Sequence, residues 1–153
     1  MAEIMPTDFA ALWDRVTREF ACGADSIHGP DHWRRVEQNA LKIAVSNGAV
    51  VDVVRLFAVF HDSRRQNDGR DFEHGTRGAE YARSLRGTLF EVSDADFELL
   101  RDACCRHTHG ELSEDPTIGA CWDADRLDLT RIGSTPDASY MSTALGRSLC
   151  STE

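Results

Sequence analysis

The sequence predicts an all-α protein, one compact bundle of about six helices over residues 1–153. Three observations lead there. Apolar residues recur at three-and-four spacing in segment after segment, and no segment shows the period-two alternation of a half-buried strand. The breaks between segments carry helix punctuation: Pro30 and Pro116 at starts, Asn47-Gly48 and Gly87 at ends. Apolar residues make up 41% and charged residues 28% of 153, which suits a globular chain with a single core.

A first helix is predicted over 7–21, where Phe9, Leu12, Trp13, Val16 and Phe20 share a face and Thr7 or Asp8 can cap the start. A loop from Cys22 to Pro30 leads to a second helix from about Asp31 to Asn47-Gly48, with Val36, Ala40, Ile43 and Ala44 as its stripe. His32 lies one turn before Val36 and so falls on that stripe. The third helix, about 50–62, is apolar almost throughout, interrupted only by Asp52 and Arg55, which places it inside the bundle. It ends in His61-Asp62. After a loop over 63–72 comes a fourth helix, about 73–85, opened by His74, with the small pair Gly78-Ala79 suited to close packing. The fifth starts at Ser93 or Asp94, carries Phe97, Leu99, Leu100, Ala103 and Cys104, and ends near His107-Thr108-His109-Gly110. The sixth, about 117–130, presents Ile118, Cys121, Trp122, Asp125 and Leu129 on one face, so Asp123 and Asp128 are expected in solvent. The Ser/Thr/Gly-rich tail, 133–153, is weakly determined: either a short helix near 139–149 or a mobile cover.

Composition narrows the function. No apolar run approaches the roughly 20 residues of a membrane span, and the start, Met1 to Pro6, lacks the pattern of a signal peptide. A net charge of −9 argues against broad nucleic-acid binding, which needs a basic face. The five cysteines form no Cys-x-x-Cys pair and read as reduced thiols, which predicts a cytoplasmic protein. There is one lysine, Lys42, against sixteen arginines, and Arg64, Arg65, Arg70, Arg77, Arg83 and Arg86 crowd just after the His-Asp pair. Either they serve an anionic small molecule, for which the guanidinium fork is suited, or they pair with Asp68, Asp71, Glu73 and Glu80 on helix surfaces.

The polar residues on buried faces matter most. A buried imidazole or carboxylate without a partner costs about 2–7 kcal/mol. Each can be satisfied alone, by backbone hydrogen bonds or by capping. Yet three separate helices place such groups inside: His32, His61-Asp62 and Asp125. One shared divalent ion would satisfy them all, and two imidazoles with two carboxylates suit Mn²⁺, Fe²⁺, Co²⁺, Ni²⁺ or Zn²⁺.

Three pieces in this order, His32-Trp33-Arg34-Arg35-Val36, Phe60-His61-Asp62-Ser63 and Asp123-Ala124-Asp125-Arg126-Leu127-Asp128, resemble the HD-domain metal-dependent phosphohydrolase superfamily over about 28–132. The resemblance implies an HD-like helical fold and metal ligands at His32, His61, Asp62 and Asp125. It also implies a small phosphate-bearing substrate, a nucleotide or other phosphate ester, attacked by metal-activated water. In that scheme Asp62 also orients the water, Arg64, Arg65 and Arg77 neutralise phosphate charge, and His74 or His107 contacts phosphate or transfers a proton. Some members hold a second metal through further histidines. His74, His107 and His109 lie in the right interval, although His107-Thr108-His109 departs from the adjacent histidine pair of the cyclic-dinucleotide phosphodiesterases and their Gly-Tyr-Pro signature is absent. Two alternatives stay open: an HD-type di-iron oxygenase using His32, His61, Asp62, His74, His107 and Asp125, and a non-catalytic module that binds a metal or nucleotide. His28 and His109 have no assigned role.

Overall fold

A computed structural model describes residues 4–150; the outermost residues of the single-domain reading, 1–3 and 151–153, lie outside the described residues. Among the described residues seven α-helices follow in order: α1 Phe9–Arg18, α2 Pro30–Asn47, α3 Val51–Phe60, α4 His74–Leu85, α5 Asp94–Arg106, α6 Pro116–Leu127 and α7 Ala144–Leu149. Two 3₁₀ segments, Asp128–Ile132 and Ala138–Tyr140, flank the loop before α7. Among the described residues there is no strand beyond an isolated bridge between Arg86 and Phe90, and no helix is long and apolar enough to cross a membrane. The protein is all-α.

Helix α3 is the centre. Val53, Val54 and every residue from Leu56 to Phe60 are buried, because α2, α5 and α6 pack around it while α2 also lies along α6. This leaves the C-terminal end of α3 inside the bundle, and His61 and Asp62 with it. Helix α4 closes the group by unusually close approach. A Cβ on Gly78 would stand 2.5 Å from the Phe60 carbonyl oxygen, and one on Gly75 would stand 2.2 Å from the carbonyl of Cys104 in α5. Only glycine permits either contact, and together they bring His74 beside Asp62 and His107.

Most punctuation acts as the sequence suggests. Gly48 adopts a left-handed conformation at φ 77° to end α2, Ser93 accepts from the Asp96 N–H, and Asp115 accepts from the Thr117 and Ile118 N–H groups. Two boundaries differ. Helix α1 starts as expected, capped by Asp8, which accepts from the Ala11 N–H, but it stops at Arg18 with Glu19 as its C-cap, short of residue 21. Helix α6 gives way at Asp128 to the tighter 3₁₀ turn. In the tail the short-helix alternative is the observed one, with α7 inside the expected 139–149 stretch.

Asp123 explains the tail. Expected in solvent, it is instead fully buried. Its Oδ1 accepts from the Ser142 N–H at 2.8 Å, and its Oδ2 from the Thr143 N–H and hydroxyl, each at 2.7 Å. A buried carboxylate so paired anchors the chain that returns across α6, and Thr143 in turn caps α7 by accepting from the Gly146 N–H.

Candidate metal centre

The structure brings His32, His61, Asp62 and Asp125 together at the core end of α2, α3 and α6. His32 Nε2 lies 3.3 Å from Asp62 Oδ2 and 3.1 Å from Asp125 Oδ1; His61 Nε2 lies 3.4 and 3.2 Å from the same two atoms. The two Nε2 atoms are 3.2 Å apart. A second cluster shares Asp62. Its other oxygen, Oδ1, is 3.0 Å from His74 Nε2 and 3.4 Å from His107 Nε2, which are 3.0 Å from each other. Asp62 therefore faces two histidine pairs, one with each oxygen.

The far side of each ring fixes its tautomer. His61 Nδ1 lies 3.0 and 3.1 Å from the Phe57 and Ala58 carbonyls, His74 Nδ1 2.6 Å from the Asp71 carbonyl, His107 Nδ1 2.8 Å from the Cys104 carbonyl and His32 Nδ1 2.6 Å from Asp128 Oδ2. These partners only accept, so each Nδ1 carries a proton and it is Nε2 that each ring turns to the cluster, as a bare lone pair wherever no second proton sits on it. Two facing lone pairs at 3.0–3.2 Å repel unless a cation, proton or metal, lies between them. Ligand atoms about 2.1 Å from one ion sit roughly 3.0–3.4 Å apart, which matches the spacings in both groups. The donors thus fit a divalent metal, and the shared carboxylate fits a pair.

Electrostatics agrees. Burial by itself would raise the carboxyls of Asp62 and Asp125, but the imidazoles around them reverse this and hold both well below the usual carboxylate range. Burial also opposes charge on His32, yet Asp125, Asp128 and Asp62 outweigh it and push His32 up to about 10. The field that retains a proton there is one that would hold a metal ion.

Asp128 corrects a second expectation. It is buried rather than solvated, accepting from His32 Nδ1 on one oxygen and from Arg35 Nε at 2.8 Å on the other. Such a carboxylate behind a ligating imidazole fixes its orientation and raises its basicity. A signal existed in the sequence: Asp128 follows Asp125 by three residues and so shares its side of the helix.

The arginines divide. Arg65 Nε lies 3.7 Å from Asp62 Oδ1, while its Nη1 is tied to the carbonyls of Asn67 and Gly69. Arg77 is engaged by both oxygens of Asp71 at 2.5 and 2.6 Å, and Arg64 lies over the Tyr81 ring. Neither Arg64 nor Arg77 lines the cavity of about 430 Å³ that opens beside His107 and Asp125. For Arg77 the surface-pairing alternative is the observed one. His28 pairs with Asp68 at 3.0 Å, and His109 is exposed near Glu111, so neither joins a cluster.

A scan against protein-family models finds no match, and a search of curated proteins finds none. Among solved structures, the chain is similar to a predicted HD superfamily hydrolase from an uncultured Thermotogales bacterium. The two are 26% identical with a TM-score of 0.73, covering 94% of this chain and 83% of that one. The chain has the fold of the HD superfamily, and its buried His/Asp clusters fit a metal-dependent HD domain.

Proposed function

We propose that this protein is a metal-dependent phosphohydrolase acting on a nucleotide or other small phosphate ester, with two divalent ions held side by side. One observation carries the reading: Asp62 meets a histidine pair with each of its two oxygens. His32, His61, Asp62 and Asp125 hold the first ion, and Asp62, His74 and His107 the second. Bound there, such ions supply an activated water and polarise a phosphoryl group. The protein's own part is to pre-orient the donors. Four Nδ1 hydrogen bonds orient the imidazoles, and the Phe57 ring packs on one face of His61, stacked at 4.7 Å. In this reading His74 and His107 are ligands rather than proton donors, since their Nε2 atoms face each other and Asp62. Arg65, beside Asp62, offsets the negative charge of the shared carboxylate.

The test is elemental analysis of the purified protein with phosphate release from a phosphate-ester panel, with and without Mn²⁺, Co²⁺ or Ni²⁺. About two ions per chain with metal-dependent release is the expected result; no metal uptake, or release indifferent to metal, rejects it. The same six ligands, with one carboxylate between two sites, also suit an HD-type di-iron oxygenase. Two irons, oxygen consumption and no phosphate release would select that reading.

A further inference from the structure

The cavity beside the two clusters is built in part from residues the sequence did not single out. It reaches one ligand of each cluster, Asp125 and His107, so it opens onto both ion positions. Asp125 is the most exposed of the first four ligands, its side chain 18% accessible against 4% or less for the others. The 3₁₀ segments and the tail add Leu129, Arg131, Asp137, Tyr140 and Met141 to its lining.

Arg131 is held on two sides. Its Nε donates to the Ile27 carbonyl at 2.7 Å and its Nη1 to the Asp128 carbonyl at 2.9 Å, with the Asp128 carboxylate 3.8 Å from Nη1; Nη2 makes no hydrogen bond among the described residues, and the residue lines the cavity. A fixed guanidinium with an open edge suits an oxyanion, and the Asp128 that anchors it also orients His32. The wall next to it is of another kind. Met141 and Leu129 are apolar, and Tyr140 offers a half-exposed ring. Arg126 fixes that ring's backbone by donating from Nη1 to the Tyr140 carbonyl at 2.8 Å and to the Glu111 carbonyl at 2.7 Å.

We infer that this cavity is the substrate pocket and that it selects phosphate esters whose alcohol part is planar and apolar, with Arg131 on the phosphoryl oxygens and the ring-bearing half against Leu129, Tyr140 and Met141. The scissile group is taken from the phosphohydrolase reading; the selectivity comes from the pocket alone. A phosphate with a small alkyl or polyol group forfeits the apolar wall.

The experiment measures calorimetric binding of phenylphosphonate and methylphosphonate, which cannot be hydrolysed, to the metal-loaded protein, beside the turnover of phenyl phosphate. Phenylphosphonate is expected to bind at least tenfold more tightly than methylphosphonate. Tyr140→Ala, at a half-exposed position, should abolish most of that preference with metal content unchanged. Arg131→Gln should weaken both ligands at least tenfold and raise KM more than it lowers kcat, and Arg131→Lys should recover part of the loss. Equal binding of the two phosphonates, or Arg131→Gln binding both as the native protein does, overturns the inference. Binding as expected without hydrolysis under any metal rejects the phosphohydrolase reading and leaves the pocket standing. Metal-dependent hydrolysis with an indifferent Arg131 rejects the pocket alone.

Discussion

Replacing Asp128 by Asn tests the metal centre from behind. The carboxylate accepts the His32 Nδ1 proton at 2.6 Å and the Arg35 Nε proton at 2.8 Å, in a place only 4% exposed. Its charge is one of the influences that push His32 up to about 10, and it holds the ring so that Nε2 faces Asp62 and Asp125. Asparagine keeps the shape and one acceptor oxygen but removes the charge, so His32 becomes a weaker base and a less constrained ligand. Loss of a partner of this kind costs about 10–100-fold in metal affinity, or roughly 1.4–2.8 kcal/mol. Competition with a chromophoric chelator would measure it. The loss should fall on the ion held by His32, His61, Asp62 and Asp125, while the ion at His74 and His107 keeps its affinity within a few-fold. Unchanged affinity at the first site, or an equal loss at both, would refute the view that Asp128 acts through His32.

Other outcomes follow from the same geometry. His74→Ala should lower the metal content from two ions per chain to one, whereas Asp62→Ala should remove both with all activity; an Asp62 variant that keeps metal-dependent turnover would sink the shared-carboxylate reading. In the metal-free protein His32 keeps its proton until about pH 10, so metal uptake at pH 7 should release about one proton per chain to an indicator dye, and affinity should rise with pH until that value is reached. The raised value also means that His32 stabilises the metal-free fold fully below about pH 6.5, the ordinary histidine value, and ceases to do so as pH climbs through 10. Gly75→Ala should destabilise the fold by about 1–3 kcal/mol in denaturant and lower occupancy at the second site, since its Cβ would stand 2.2 Å from the Cys104 carbonyl oxygen. Asp123→Ala strips partners from the Ser142 and Thr143 N–H groups and should cost roughly 2–4 kcal/mol. Amide exchange over 142–149 should quicken while metal content holds; slow exchange there would show that the tail is anchored by other contacts.

The helices and the ligands differ in how far the sequence could reach. Capping residues and apolar spacing are local, so α2, α3, α5 and the start of α6 are legible from a few neighbouring residues each. The group His32, His61, Asp62 and Asp125 is legible too, because each lies on a buried face or at a buried end where an unpaired polar group is costly. That argument stops at burial; it cannot say which buried groups meet. The approach of α4 to α3 and α5 through Gly75 and Gly78 is what sets His74 against His107, Nε2 to Nε2, the arrangement on which the two-ion proposal rests. Helical spacing assigns Asp123 to solvent, because it ranks the faces of α6 against the core and knows nothing of the tail that covers it; Asp128 shares a side with Asp125, and it is α2, through His32 and Arg35, that encloses it.

The arginines mark the same divide from the other side. Their crowding after Asp62 is a fact of the sequence, but whether a guanidinium serves a substrate depends on which carboxylate reaches it first. Asp71 takes Arg77 and the Tyr81 ring takes Arg64, while Arg131, far along the chain, stands at the cavity. Local pattern determined the helices and which polar groups had to be paired inside. Only the packed chain decided the pairings, because a side chain's partner is chosen by distance in space, and residues such as His32 and Asp128, 96 positions apart, become neighbours only once the bundle has closed.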